Sequence, residues 1–262
     1  MKKILYALIF ISFAFGDTYY AKLEPFESVT IKAQANGEVL VSKDDLEGKI
    51  GNGLIVKIDD KLDIVNLKSS QEQLKLTKQM IAINSATLDT LKSNMIKKLA
   101  LYKKVAPLSS TSVSAKDNIF SAYVAAKTQY SATREKILNL KSQKVNLEQK
   151  IATLKDVINK KNIKVHNKYI YSLNVKKGEF VNIGYPLMVV QDISKAKLVV
   201  YLNEDDLKDL DKKTIYIDGK KTNLKFNKVW RVADKQYISS YRAEIVTKPF
   251  KRFSKLVKVE VK

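Results

Sequence analysis

Ala106-Pro107-Leu108-Ser109-Ser110-Thr111-Ser112-Val113-Ser114 interrupts a segment, Leu54 to Lys177, that holds no glycine and no other proline. Glycine costs about 1 kcal/mol and proline about 3 kcal/mol in a helix interior, so a segment without them can run as long helices. The apolar spacing predicts that it does. Before the interruption, Leu67, Leu74, Ile81, Leu88, Met95 and Tyr102 recur at every seventh position. After it, Tyr123, Ala126, Tyr130, Thr133, Ile137, Leu140, Lys144, Leu147, Ile151, Leu154 and Ile158 alternate steps of three and four. That second run is a heptad seam with polar faults at Thr133 and Lys144. Pro107 removes a backbone donor and clashes with the preceding turn, so the first helix should stop there. Ser112 or Ser114 can cap the second, its hydroxyl accepting from free N–H groups of the first turn. The break is short and the arms match in length, which predicts an antiparallel helical hairpin. Arms of about 40 residues would project roughly 60 Å. Two independent helices in a bundle, or a parallel dimeric coiled coil, are the alternatives.

The 262 residues suffice for one large or two small domains. Hydrophobic content of 45% allows a core, although much of it belongs to narrow helical seams. The lack of cysteine excludes disulfides, thiol catalysis, cysteine-ligated zinc and a lipid-modified N-terminal cysteine, without fixing the compartment. Met1-Lys2-Lys3, the apolar run Ile4 to Phe15, and Ala14-Phe15-Gly16 have the pattern of a secretory signal peptide over residues 1–16. The run is short for a membrane span, and retention as an uncleaved anchor is the alternative. With no other long apolar run, the mature protein is expected to be soluble or peripheral. The formal charge of +21 suggests phosphate neutralisation first. Nucleic acid is nevertheless not expected as a partner: arginine occurs only as Arg134, Arg231, Arg242 and Arg252, and the lysines are scattered rather than gathered with stacking aromatics. A solvated lysine-rich surface, or attraction to anionic lipid or an acidic partner, fits better.

The flanks of the helical segment read as strands. Val29-Thr30-Ile31 and Val39-Leu40-Val41 lie either side of the turn Asn36-Gly37. Gly48 and Gly51-Asn52-Gly53 punctuate a further pair ending in Leu54 to Ile58, and the second of these is expected to be a turn. Beyond the helices come Ile163-Lys164-Val165, Tyr169-Ile170-Tyr171, Val175 to Val181, a turn at Gly184-Tyr185-Pro186 and a short buried strand Leu187 to Val190. Gly48 to Val56 echoes Gly178 to Val189: a glycine, an apolar pair, a second glycine, then an apolar strand. Neither flank is long enough to bury a core alone. Together they could form one small β-sandwich with the hairpin inserted between its halves, since the ends of a hairpin lie close in space. Further on, Leu198 to Leu202, Thr214 to Ile217, Lys225 to Val232, Tyr241 to Thr247 and Leu256 to Val261 alternate as strands, and Asp218-Gly219 is a hairpin turn signal. Glu204 to Leu210 fits one or two helical turns.

These features resemble the periplasmic adaptor subunits, also called membrane fusion proteins (HlyD and RND type), of tripartite efflux and secretion pumps. The likeness covers almost the whole mature chain. Its most specific piece is Lys177-Gly178-Glu179-Phe180-Val181-Asn182-Ile183-Gly184-Tyr185-Pro186-Leu187 followed by Lys197 to Leu207, with Asn36-Gly37-Glu38-Val39 matching the opening glycine turn. The family's Ala-Pro and Asp-Gly turn is replaced here by Val165-His166-Asn167-Lys168. The resemblance implies an α+β fold: a long antiparallel coiled-coil hairpin inserted into a split lipoyl-like β-sandwich, plus a C-terminal β-barrel domain. The implied division is 17–28, an N-terminal strand of the barrel; 29–62 and 163–196, the lipoyl halves; 63–162, the hairpin; and 197–262, the barrel. It resembles the short adaptors that lack a further membrane-proximal domain. It implies no enzyme activity, a periplasmic location at the inner membrane, an inner-membrane transporter (most simply a resistance-nodulation-division pump, alternatively an ATP-driven one), a TolC-type outer-membrane channel, and a homo-oligomer, either a hexameric ring or a trimer of dimers. A coiled-coil tether or chaperone without a channel is the reading from another class.

In many such adaptors the hairpin tip carries an arginine, a leucine four residues on and a serine seven further, which dock on the channel. Alignment on Ser114 puts Lys103 at the arginine and Pro107 at the leucine. Alignment on Ser112 puts Val105 at the leucine and Leu101 at the arginine. The tip candidates are therefore Lys103, Val105, Pro107, Leu108, Ser112 and Ser114. No catalytic set and no cofactor are expected. His166 is the only histidine, which leaves a Ser-His-Asp triad or a multi-histidine metal site out of reach of one chain, and it is expected at a turn or on the surface. Consecutive carboxylates Glu204-Asp205-Asp206 point apart on a helix, and a first turn favours negative charge in any case. Lys61 lies near the position of the modified lysine of carrier domains, but a hairpin of about 100 residues leaves from that junction instead of a tight turn.

Overall fold

A computed structural model describes residues 18–233, 237, 239–250 and 252–262. The signal-peptide segment lies outside them. Two helices dominate: α1, Lys61–Val105, and α2, Val113–Lys161. They are antiparallel neighbours, and the 45- and 49-residue arms reach about 70 Å at 1.5 Å per residue. Their feet continue a β-ladder. Strand β3, Ile50–Ile58, pairs antiparallel with β4, Asn162–Leu173, and Lys57 lies opposite Asn162. The hairpin therefore prolongs two paired strands, which fixes both of its ends to one sheet.

The remaining strands are β1, Thr18–Lys32; β2, Gly37–Ser42; β5, Phe180–Val181; β6, Pro186–Leu202; β7, Ile215–Ile217; β8, Lys220–Lys221; β9, Phe226–Val229; β10, Tyr241–Thr247; and β11, Leu256–Val261. The sheet order is β5-β2-β3-β4-β6-β1-β11-β7-β8, with β10 joining β6 to β9. Two cores form on it. One gathers Val39, Ile55, Val56 and Ile58 from before the hairpin with Val165, Ile170, Val181 and Leu187 from after it. Neither side closes this core alone, which is what splitting the unit requires. The other gathers Ala21, Leu23, Ala196, Leu198, Val200, Leu202, Ala243, Ile245, Val257, Val259 and Val261. Its members alternate along each strand, as the two-residue pleat demands.

β1 and β6 pass unbroken from one core to the other. Two expected strands, Tyr19 to Phe26 and Val29 to Ile31, are thus one strand, and Leu187 to Val190 and Leu198 to Leu202 are another. The interruptions that suggested separate strands are a bulge. Pro25 pairs with Ala196 and Glu27 with Asp192, so Phe26 faces three residues of β6. A proline, which cannot donate to the ladder, is tolerated at such a place.

The Gly51-Asn52-Gly53 turn is corrected in the same way. These residues lie inside β3, where the register shifts against β4. Val165 to Lys168 is the matching irregularity in β4, with Asn167 at φ 49°. His166 is an exposed strand residue 3.1 Å from the Asn52 amide oxygen. Asp218-Gly219 does turn a two-residue β-hairpin, with φ of 49° and 76° at its centre, the pattern of a type I′ turn. Glu204–Leu207 forms a single 3-10 turn, and Lys61 is the first helical residue of α1.

Candidate functional site

The hairpin seam determines where its tip sits. On α2 the expected positions are those that turn inward: Ala126, Ile137, Leu140 and Ile151 are buried, and Thr133 and Lys144 are half-buried. On α1 the seven-residue row is only half of the seam. The other half includes Ser70 and Thr77, the most buried residues of the helix at 2% and 8% exposure. Small polar side chains let the backbones approach closely, and Thr77 returns its hydroxyl proton to the Gln73 carbonyl, 2.8 Å away. An apolar spacing rule misses them because they are not apolar.

At the far end, Tyr102 packs on Phe120, ring centroids 5.0 Å apart, and Phe120 on Tyr123 at 6.3 Å. This aromatic layer joins the last turn of α1 to the second turn and beyond of α2. The chain then reverses. The Ala106 amide still donates to the Tyr102 carbonyl at 2.8 Å, and the Leu108 amide to Val105 at 3.0 Å. Pro107 ends the helix as expected. Ser112, not Ser114, caps α2: its Oγ accepts from the Ala115 amide at 3.2 Å. Lys103 is exposed on the last turn of α1, and Val105 is half-buried on the seam. Pro107, Leu108, Ser112 and Ser114 are exposed, Leu108 at 47%, beside Val113 at 75%. The six candidates thus share one apex, although Val105 and Ser112 are engaged in holding it together.

The feet carry a network that the linear sequence does not reveal. The Lys161 ammonium donates to the Asp63 carboxylate at 2.6 Å and to the Asp59 carbonyl at 2.8 Å. Asn162 donates to Asp60 at 2.8 Å and to the Ile158 carbonyl at 2.7 Å. The Lys57 ammonium lies 3.0 Å from the other Asp60 oxygen. Burial pushes the Asp60 carboxyl up, but Asn162 and Lys57 together outweigh it and hold it below the ordinary carboxylate range. Each foot is thereby tied to the other across the start of the hairpin.

Elsewhere the charged groups read as structural. Asp206 pairs with Lys213 at 2.7 Å and accepts from the Tyr19 hydroxyl. Among the described residues no group of three or more His, Cys, Asp or Glu could hold a metal ion, and no helix is long and apolar enough to cross a membrane. At the bulge between the cores, Lys168, then the Ser194 hydroxyl and amide, hold the Asp192 carboxyl well below its usual range.

Solved structures share this arrangement. MacA from Actinobacillus actinomycetemcomitans superposes with a TM-score of 0.71 at 18% identity, over 94% of this chain and 78% of that one. A MacA-MexA chimera carrying the Pseudomonas aeruginosa MexA α-hairpin domain gives 0.53 at 17% identity, over 94% and 81%. The membrane fusion protein Spr0693 from Streptococcus pneumoniae R6 gives 0.53 at 11% identity, over 94% and 98%. The fold is that of the membrane fusion proteins. No family model matches the sequence, and no curated protein does.

Proposed function

We propose that the chain is a non-enzymatic periplasmic adaptor that links an inner-membrane transporter to a TolC-type outer-membrane channel. The observation that carries this is a hairpin of 45- and 49-residue arms whose two ends are held in one β-ladder. A rigid arm of about 70 Å with an exposed apex spans a gap between two partners. The split core beside it is read as the lipoyl-like domain and the second core as the β-barrel domain. The lipoyl-like domains pack side by side in a ring, hexameric or a trimer of dimers, with heterologous contacts that close. The transporter is taken as the RND type. The exposed tip residues Lys103, Pro107, Leu108 and Ser114 are the docking surface, and Val105 and Ser112 shape it.

Reach provides the test. Removing residues 82–88 and 136–142 takes one heptad from each arm and shortens the hairpin by about 10 Å with seam and tip preserved. The shortened protein is expected to fold with unchanged β-domain stability and to lose export in cells. Full export by the shortened chain overturns the bridging reading.

A further inference from the structure

Charge is distributed unevenly along the hairpin. Nearer its feet carboxylates are interspersed with the cations and several pairs form: Lys161 with Asp63, Lys160 with Asp156, and both Lys78 and Lys144 with Glu148. Between Asp89 and Asp117 the sequence holds no carboxylate, yet it holds Lys92, Lys97, Lys98, Lys103, Lys104 and Lys116. Among the described residues none of these six takes part in an ion pair. Helix electrostatics explains part of this. Lys103 and Lys104 occupy the last turn of α1, where the backbone dipole favours a cation. It does not explain Lys116, in the first turn of α2, where free N–H groups favour an anion and no acidic residue is present. The molecule tolerates local repulsion at its tip, and folding alone gives no reason for it.

The apex ahead of these lysines is Ser109-Ser110-Thr111-Ser112, polar and uncharged, with exposed Leu108 and Val113 at its two edges. A tip built to enter a bilayer leads with apolar side chains. This one leads with hydroxyls and sets Lys103, Lys104 and Lys116 within about two turns behind them, as a collar. We propose that the tip seats in a protein receptor whose rim is acidic, with carboxylates facing the lysine collar. The inference rests on the docking reading above and adds the chemistry of the partner. Attraction of this kind speeds encounter and selects partners, and it weakens with salt.

The test uses the full chain and two probes: a purified TolC-type channel from the same organism, and vesicles of phosphatidylglycerol with phosphatidylcholine. Binding to the channel is expected to weaken by about tenfold or more between roughly 50 mM and 300 mM salt. At low salt the Lys103→Gln, Lys104→Gln, Lys116→Gln variant is expected to bind about tenfold more weakly, with an unchanged melting curve, and the same three positions as arginine are expected to bind like the wild type. Salt-insensitive binding that survives the glutamine changes but is lost when Leu108 and Val113 become serine overturns the charged rim and leaves docking standing. No binding by the wild type at either salt overturns both. Retention by the vesicles alone, lost in the glutamine variant, overturns the proposal in favour of an anionic membrane surface.

Discussion

A single methyl group at position 51 would meet a wall. A Cβ built on Gly51 falls 2.6 Å from Ile170 Cδ1 and 3.3 Å from Ile55 Cδ1, both buried side chains of the split core. Gly53, two residues on, has open space instead but sits at φ 84°. One glycine is there for packing and the other for backbone. Gly51→Ala is expected to destabilise by about 1–3 kcal/mol, read as a lower urea midpoint with unchanged slope. An unmoved midpoint would show that the isoleucines have room to yield. The sequence could not separate these roles. Glycine pairs around asparagine signal turns, and the same residues also make a bulge inside a strand. The deciding fact, the approach of Ile170, comes from more than a hundred residues away.

Among the elements, the two helices were the most legible and their feet the least. Periodicity located the α2 seam residue by residue, and Pro107 marked its partner's end, because both signals are local. The α1 seam was half-read, since Ser70 and Thr77 are buried for their small size and not for their hydrophobicity. The foot network escaped entirely: Asp59, Asp60 and Asp63 face Lys161 and Asn162 only after the hairpin has closed. Lys161→Met removes both hydrogen bonds of that ammonium and is expected to cost about 1–3 kcal/mol. Amide exchange reads it locally. The first turn of α1 and the last of α2 should exchange faster, while protection at Tyr102 and Phe120 stays. Equal exchange at the feet would mean that the strand ladder alone fixes the hairpin's direction. The tip candidates came from a family pattern and were found clustered, but spacing could not say that Ser112 rather than Ser114 would be the cap.

At the scale of the whole molecule, acidity acts on the β-domains. Lys258 at 2.7 Å and Lys262 at 2.5 Å hold the Glu260 carboxyl down to about 2, from an ordinary value near 4.5. Asp192 and Asp60 are held low as well. Carboxyls depressed in the fold bind fewer protons there than in the unfolded chain at mildly acid pH. Their contribution is therefore complete above the ordinary carboxylate range and is lost as pH falls from about 4.5 towards about 2. The melting temperature should stay level from neutral pH to about 5 and drop below about 4.5, with a shallower drop in Glu260→Gln. A variant whose acid limb matches the wild type would remove Glu260 from the account. A split unit was expected from the echo between the two flanks, and a second unit from the later strands and the family resemblance. Continuity of β1 and β6 was hidden by Pro25 and by the Asp192 to Lys195 stretch, which look like breaks and are a bulge.

That continuity determines how force would travel. Two covalent ribbons cross from one core to the other, so a pull along them meets peptide bonds rather than an interface that can peel apart. The bulge at Phe26 leaves the ladder locally unpaired there, so the same joint yields to bending. A thrust delivered at the tip of the hairpin enters β3 and β4 and crosses the β4–β6 ladder before it runs on along β6 and β1 to the second core, while its sideways part is absorbed at the joint: a coupling stiff in line and compliant across it.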